Sequence, residues 1–265
     1  MLAYMQEGDF NNCVKLLQLK LNISADGVFG PGTKTAVIEA QKTHQISPDG
    51  IVRADLIKAL GIDTTPVMLS NQDYVHAALE LGVEVAAIKA FSDTETGRES
   101  FLPDGSPAVL FERGQLHARL AKLISPEELA KASEENPDLC NASWGGYIGG
   151  EAEYGRIDRA MKLCASLGVS VDLPEECSSW GKFQIMGYYW KDLGYTEIGS
   201  FYRAALASEI DHLEMFVRFI RINPGILNAV RRKDWTTAAR EYNGAGQVAV
   251  YAERLEQNYR RESMA

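Results

Sequence analysis

Residues 83–97 read VEVAAIKAFSDTETG. Val83, Ala86, Ala87, Ala90 and Phe91 fall at i, i+3, i+4, i+7 and i+8, the apolar stripe of an amphipathic helix over 83–95. Glu95 lies twelve positions after Val83. At about 100° per residue that is roughly 120° round, beside the stripe and not opposite it. It also ends the helix, just before Thr96-Gly97. A carboxyl there is partly desolvated and faces the negative end of the helix dipole; both effects favour the neutral acid, so a raised pKa is expected. A carboxylic acid that keeps its proton near neutral pH is what breaking a glycosidic bond asks of a general acid. An exposed helix-end glutamate is the alternative this stretch leaves open.

The 265 residues suffice for one or two domains with a real core. A hydrophobic fraction of 46% and a charged fraction of 24% are ordinary for a globular chain and exclude wholesale disorder. No apolar run approaches the roughly 18 residues of a membrane span, and MLAYMQEGDF offers neither the basic start nor the apolar stretch of a secretory signal. The net charge of −9 is uneven: residues 1–61 carry six charges of each sign, so the excess falls on 62–265. An acidic main body argues against nucleic acid and against an anionic membrane as partner. Four cysteines are too scattered for a disulfide scaffold. Cys164 follows Ile157, Ala160 and Met161 at helical spacing and is expected as a buried thiol; Cys140 and Cys177 remain a possible pair after export. His44, His76, His117 and His212 stand apart without metal-ligand spacing, so neither metal nor organic cofactor is expected.

Upstream, FNNCVKLLQLKLN at 10–22 places Val14, Leu17 and Leu21 on one helical face. A glycine-rich loop begins at Asp26-Gly27, with Thr33 as the expected N-cap of a second helix carrying Ala36, Val37 and Ala40. Asp49-Gly50-Ile51-Val52 then echoes Asp26-Gly27-Val28-Phe29. The pattern is helix, turn, helix, turn, helix. The string LLQLKLN…DGVFGPGTKTAVIEAQ…SPDGIV resembles the three-helix peptidoglycan-binding module of bacterial and phage cell-wall enzymes. That resemblance implies a wall-binding role for this part and for Asp26, Phe29, Thr33 and Asp49. Residues 63–70 have no helical period and contain Pro66, which reads as a short linker that keeps the two parts close. Ser70 and Asp73 have the spacing of a capping box opening the next helix.

Three further strings follow: FLPDGSPAVLFERG at 101–114, SSWGKFQIMGYYW at 178–190 and REYNGAGQVAVYAERL at 240–255. With Glu95-Thr96-Gly97, their order resembles the phage N-acetylmuramidase domain of the lysozyme superfamily and, more broadly, goose-type lysozymes and lytic transglycosylases. Carried over residue by residue, the resemblance makes Glu95 the catalytic acid. It makes Gln184, Tyr242, Asn243 and Trp180 lining residues of the saccharide groove. Sugars suit such residues, offering hydroxyls and amides to polar groups and ring faces to aromatics. Glu112 is the second catalytic candidate: it could hold water, stabilise developing positive charge, or be a structural ion-pair partner. The family string usually reads FERH, and Gly114 here removes any histidine role. Glu153 and Arg156, three apart, are expected as a surface helix pair. Met161, Met186 and Met215 are expected as core fillers, and Leu213, Phe216, Val217 and Ile220 as one core face.

The expected architecture is mainly α: a three-helix wall-binding module over 1–62, the linker 63–70, and a lysozyme-like helical domain with a small β-hairpin region over 71–265. The resemblance implies a monomeric endolysin acting on peptidoglycan, held in the host cytoplasm until a separate pore protein releases it. A lytic transglycosylase and a non-catalytic wall-binding protein are the competing readings.

Overall fold

A glutamine closes each of the two Asp-Gly loops. The computed structural model describes residues 4–63, 65–95, 99–103 and 105–264. It opens with β1 (Tyr4–Met5), α1 (Asn12–Lys20), α2 (Pro31–Thr43), β2 (Val52–Arg53) and α3 (Ala54–Ala59). From α1, Gln18 Nε2 donates to Asp26 Oδ1 (2.7 Å), the Val28 carbonyl (2.9 Å) and Thr33 Oγ1 (3.0 Å), while its Oε1 accepts from the Gly27 N–H (2.8 Å). From α2, Gln41 repeats this on Asp49 Oδ1 (3.0 Å), the Ile51 carbonyl (2.9 Å) and the Gly50 N–H (2.9 Å). Gly27 and Gly50 share a φ of 77°, where a side chain would be strained. The Asp-Gly echo is therefore one structural unit used twice. One expectation is corrected. Thr33 does not cap α2: the helix starts at Pro31 after Gly30. Proline is preorganised for the first turn, which leaves the Thr33 hydroxyl to meet Gln18.

The core of this part, with Met5, Val14, Leu17, Phe29, Val37, Val52 and Leu56 buried, is completed by Leu206 and Ala207 from the main body. Around that seam Arg203 donates through Nε to both Asp9 oxygens (2.7 and 2.9 Å), with Asp9 fully buried and Arg203 nearly so. Phe10 stacks on Tyr195 (centroids 4.2 Å apart) beneath the Arg218 guanidinium. The linker stretch is pinned too: the Val67 carbonyl accepts from the Glu209 N–H (2.8 Å), and the Leu69 N–H donates to the Glu209 carboxylate (2.9 Å).

The main body contains α4 (Asn71–Leu81), α5 (Val85–Glu95), β3 (Val109–Phe111), α6 (Arg113–Leu120), α7 (Pro126–Glu135), α8 (Ala152–Ser166), α9 (Leu173–Glu176), β4 (Ser178–Trp180), β5 (Ile185–Met186), α10 (Ile198–Ala207), α11 (Glu209–Ile222), α12 (Pro224–Arg232), α13 (Trp235–Asn243) and α14 (Val248–Ser263). Ser70 and Asp73 form the expected capping box of α4. The α5 stripe buries Ala86, Ala87, Ala90 and Phe91, joined by Ile88, and α14 runs along the same helix. Leu213, Phe216, Val217 and Ile220 of α11 are buried behind it.

β3, β4 and β5 form an antiparallel sheet in that order, pairing Val109 with Trp180, Phe111 with Ser178 and Ser179 with Met186. Alternation along strands sends Val109, Phe111, Ser178, Trp180 and Ile185 into the core. It turns Leu110, Ser179 and Met186 to the opposite face. Met186 is thus half-buried on the sheet's outer face, while Met215 is buried. All four cysteines are buried free thiols, so Cys140 and Cys177 do not pair. Among the described residues, no helix is long and apolar enough to cross a membrane.

Candidate active site

Glu95 is the last residue of α5 and half-buried. Its Oε1 accepts from the Tyr251 hydroxyl at 2.6 Å. Tyr251, from α14, lies face to face with Tyr242 of α13, centroids 6.2 Å apart. The Tyr242 ring packs on Phe91 and Phe216, and its hydroxyl donates to the Phe183 carbonyl (2.7 Å). Burial, and then the charge of Glu95, hold the Tyr242 phenol well above its ordinary pKa, so it stays a neutral donor. Three motifs distant in sequence thus meet at the end of α5. Thr96 and Gly97 lie outside the described residues. Asn243 is exposed at the end of α13. Sequence reading missed Tyr251. Its signal was present: Tyr251, Ala252 and Leu255 form the buried face of α14.

Gln184 sits in the β4–β5 turn with a φ of 48°, a left-handed conformation unusual for a side-chain-bearing residue. Its amide stitches the turn: Nε2 donates to the Gly181 carbonyl (2.8 Å) and Oε1 accepts from Ser179 Oγ (2.9 Å). Beneath lies buried His212. Its Nδ1 accepts from the Lys182 N–H (3.1 Å), so Nε2 carries the proton it gives to the Ala205 carbonyl (2.7 Å). Burial pushes this imidazole down to about 4. At Gly181, with φ 67°, a Cβ would stand 2.7 Å from that ring, so only glycine fits. Lys182 reaches Glu209 (3.2 Å).

Trp180 is a correction. It is 2% exposed, its indole N–H donates to the Glu175 carbonyl (3.1 Å), and its ring meets Tyr202 and Tyr154 edge-on. Strand alternation puts it on the core face, where no sugar can stack on it.

Glu112 follows β3, on the side of Leu110 and Ser179. Its carboxylate accepts from the Tyr147 hydroxyl at 2.8 and 2.9 Å, and its N–H donates to the Cys177 carbonyl (2.9 Å). Three residues of strand, about 10 Å, separate it from the level of Val109 and the turn that holds Gln184. The outer sheet face, with Leu110, Ser179 and Met186, spans that interval. A Cβ on Gly114 would lie 3.6 to 3.9 Å from the carbonyls of Asn141, Ala142 and Ser143, so the chain crosses close over this glycine.

Glu153 and Arg156 overturn the surface-pair expectation. They are 0% and 1% exposed and joined at 2.8 Å. The Glu153 carboxylate also accepts from the N–H groups of Ile148 (2.8 Å), Gly149 (3.1 Å) and Phe111 (3.4 Å). Arg156 donates to the Asp138 carbonyl and lies over the Phe111 ring. The first turn of α8 abuts β3, so this pair clamps the strand before Glu112 to the loop that carries Tyr147. Glu151 and Asp158 are exposed.

Residues 84–263 match the family described as N-acetylmuramidase. The chain belongs to the N-acetylmuramidase family. Residues 14–60 of this muramidase match the family described as "Putative peptidoglycan binding domain". The muramidase is also similar to a solved structure titled as the Burkholderia AP3 phage endolysin, at 34% identity over 99% of this chain and 100% of that one, with a TM-score of 0.65. No curated protein matches it. It is a modular glycoside hydrolase, mainly helical, with a peptidoglycan-binding part ahead of the catalytic one.

In that N-terminal part, Phe29 and Thr33 of the muramidase are buried, at 1% and 5% exposure. Asp26 and Asp49 are at the surface of their loops. The Ile51 N–H, Gln41 and Arg53 hold the Asp49 carboxyl down at about 2; the Val28 N–H and Gln18 lower Asp26 likewise.

Proposed function

We propose that this muramidase is a phage-type endolysin that hydrolyses the β-1,4 bond between N-acetylmuramic acid and N-acetylglucosamine, with Glu95 as the general acid. The observation that carries this reading is the chain of contacts from Glu95 to Tyr251, from Tyr251 to Tyr242, and from the Tyr242 hydroxyl to the turn that holds Gln184. Protonation of the glycosidic oxygen by Glu95 lets the leaving sugar depart and positive charge develop on the muramic acid ring. Tyr251 fixes the rotamer of the acid. Glu112, oriented by Tyr147, holds the water that captures the charged centre. The floor between the two carboxyls, with Gln184, Tyr242 and Asn243 at one end, lies along the glycan. Residues 1–62 hold the wall through the two Asp-Gly loops at Asp26 and Asp49, residues 63–70 connect, and residues 71–265 cut. The protein works as a monomer on peptidoglycan. It waits in the host cytoplasm until a separate pore protein lets it through.

The test is full-length Glu95→Gln on purified peptidoglycan, with products read by mass spectrometry. Losing general-acid catalysis costs about 10²–10⁴-fold. Wild-type products should carry reducing muramic acid ends. Anhydro ends, lighter by one water, would make the enzyme a transglycosylase and remove the water-holding role of Glu112. Near-wild-type lysis by folded Glu95→Gln would remove Glu95 from catalysis.

A further inference from the structure

Trp144 is 74% exposed. The other three tryptophans are not: Trp180 and Trp235 are buried and Trp190 is half-buried. A bare indole on a loose loop would mean little, but this loop is held at several points. Tyr147 donates to both Glu112 oxygens, and the N–H groups of Ile148 and Gly149 donate to the buried Glu153 carboxylate. The Ser143 N–H closes on Asn141 Oδ1 (2.8 Å). Gly146 lies so close on Arg113 that a Cβ would stand 2.7 Å from the guanidinium carbon. Gly145, Gly146, Gly149 and Gly150 all have positive φ, which lets the chain turn sharply around Tyr147 while the indole stays outside. The Trp144 ring then meets Tyr147 edge-on, centroids 5.8 Å apart at 83°.

We infer that Trp144 is a stacking platform for one N-acetylhexosamine ring of the glycan, at a subsite flanking Glu112. The inference rests on the muramidase reading given above. A pyranose has an apolar face of C–H groups and a polar rim. The indole supplies a flat apolar face, and the Tyr147 hydroxyl and Glu112 carboxylate supply polar partners beside it. The patch suits a sugar better than a protein: among the described residues of this loop the exposed large apolar side chains are Trp144 and the 59%-exposed Ile148, and glycines flank them.

The probe is a soluble tetrasaccharide of alternating N-acetylglucosamine and N-acetylmuramic acid, titrated into full-length Glu95→Gln so that nothing turns over. Tryptophan emission should shift to the blue with saturation, and Trp144→Ala in the same background should lose the shift. In the active enzyme, Trp144→Ala should raise KM roughly three- to tenfold, the value of one aromatic contact. Its kcat should stay unchanged, as for lost uniform binding. Trp144→Phe should recover most of the loss. The exposed side chain can be removed without unfolding, which far-ultraviolet dichroism checks. An unchanged titration and an unchanged KM in Trp144→Ala would overturn the platform even if Glu95→Gln is inactive and the muramidase reading stands. A saturable shift lost in Trp144→Ala would uphold the platform even if Glu95 proved dispensable. If Trp144→Ala only turned a dimer into a monomer, a second copy covers the indole and the inference falls.

Discussion

Glu153→Gln preserves volume and removes one charge at a site closed to bulk solvent. The carboxylate is 0% exposed and takes donors from Arg156, Ile148, Gly149 and Phe111. An amide offers one oxygen where there were two, and turns an N–H₂ toward whichever pair of donors faces its nitrogen. Arg156, itself 1% exposed and with Nε already without a hydrogen-bond partner among the described residues, keeps its charge and loses its counterion. Breaking a buried pair by removing one partner costs about 3–5 kcal/mol. That is a large part of the roughly 5–15 kcal/mol that holds a domain folded. With a urea dependence near about 3 kcal/mol per molar, the upper end of the usual range because the slope grows with chain size, the unfolding midpoint should fall by roughly 1–2 M. Glu151→Gln, two residues away and exposed, is the control and should stay within about 0.5 kcal/mol of the parent. Urea titration followed by tryptophan fluorescence measures both. A Glu153→Gln midpoint no lower than that of the control would refute the clamp, and with it the claim that α8 fixes the position of Glu112.

Gln41→Ala removes the group that closes the second Asp-Gly loop, strands the buried Gly50 N–H at a cost of about 1–3 kcal/mol, and leaves the Ile51 carbonyl only its long contact with Arg53 (3.5 Å). Gln18→Ala should match it in urea midpoint and in lost pelleting with purified walls; a loss in one and not the other would break the equivalence of the two loops. His212, held at about 4 against an ordinary 6.5, takes no proton in the folded chain between those values while the unfolded chain does, so its contribution is whole above 6.5 and falls by about 3 kcal/mol toward 4. Glu175, pushed up to about 7 by burial and then by Asp172, acts with the opposite sign over the overlapping range. Relative to the parent, His212→Asn should therefore gain stability as pH drops from 6.5 to 4, read as urea midpoints; parallel curves would disprove the assignment.

The helix periods were legible because each is local. The α5 stripe with Glu95 at its end, the α11 face and the Asp-Gly echo all follow from spacing alone. What stayed hidden depends on neighbours far away in the chain. An acid and an arginine three apart look like a solvent pair until β3 is laid against α8. Trp180 sits in a strand of three residues, too short for its pattern to say which side is inward. Thr33 looks like a helix cap unless Pro31 is given precedence and Gln18 is seen to need an acceptor. Tyr251 looks like one more residue of an amphipathic helix, because its partner Glu95 is 156 positions away.

The seam between the N-terminal module and α10 has a mechanical consequence. With Asp9 locked to Arg203, Phe10 stacked on Tyr195 and the connecting stretch bonded to Glu209, the anchor cannot swing. A flexible leash lets a blade sample every bond within its radius, and its benefit fades smoothly with length. A fixed arm behaves as a drawing compass: where the point is set, the pencil touches only one arc. Bound to a wall, such an enzyme reaches bonds at one offset and one heading from its foothold, and must let go to reach the next. Turnover on intact walls should then be paced by release of the foothold, and a variant with a tighter grip should clear a wall suspension more slowly.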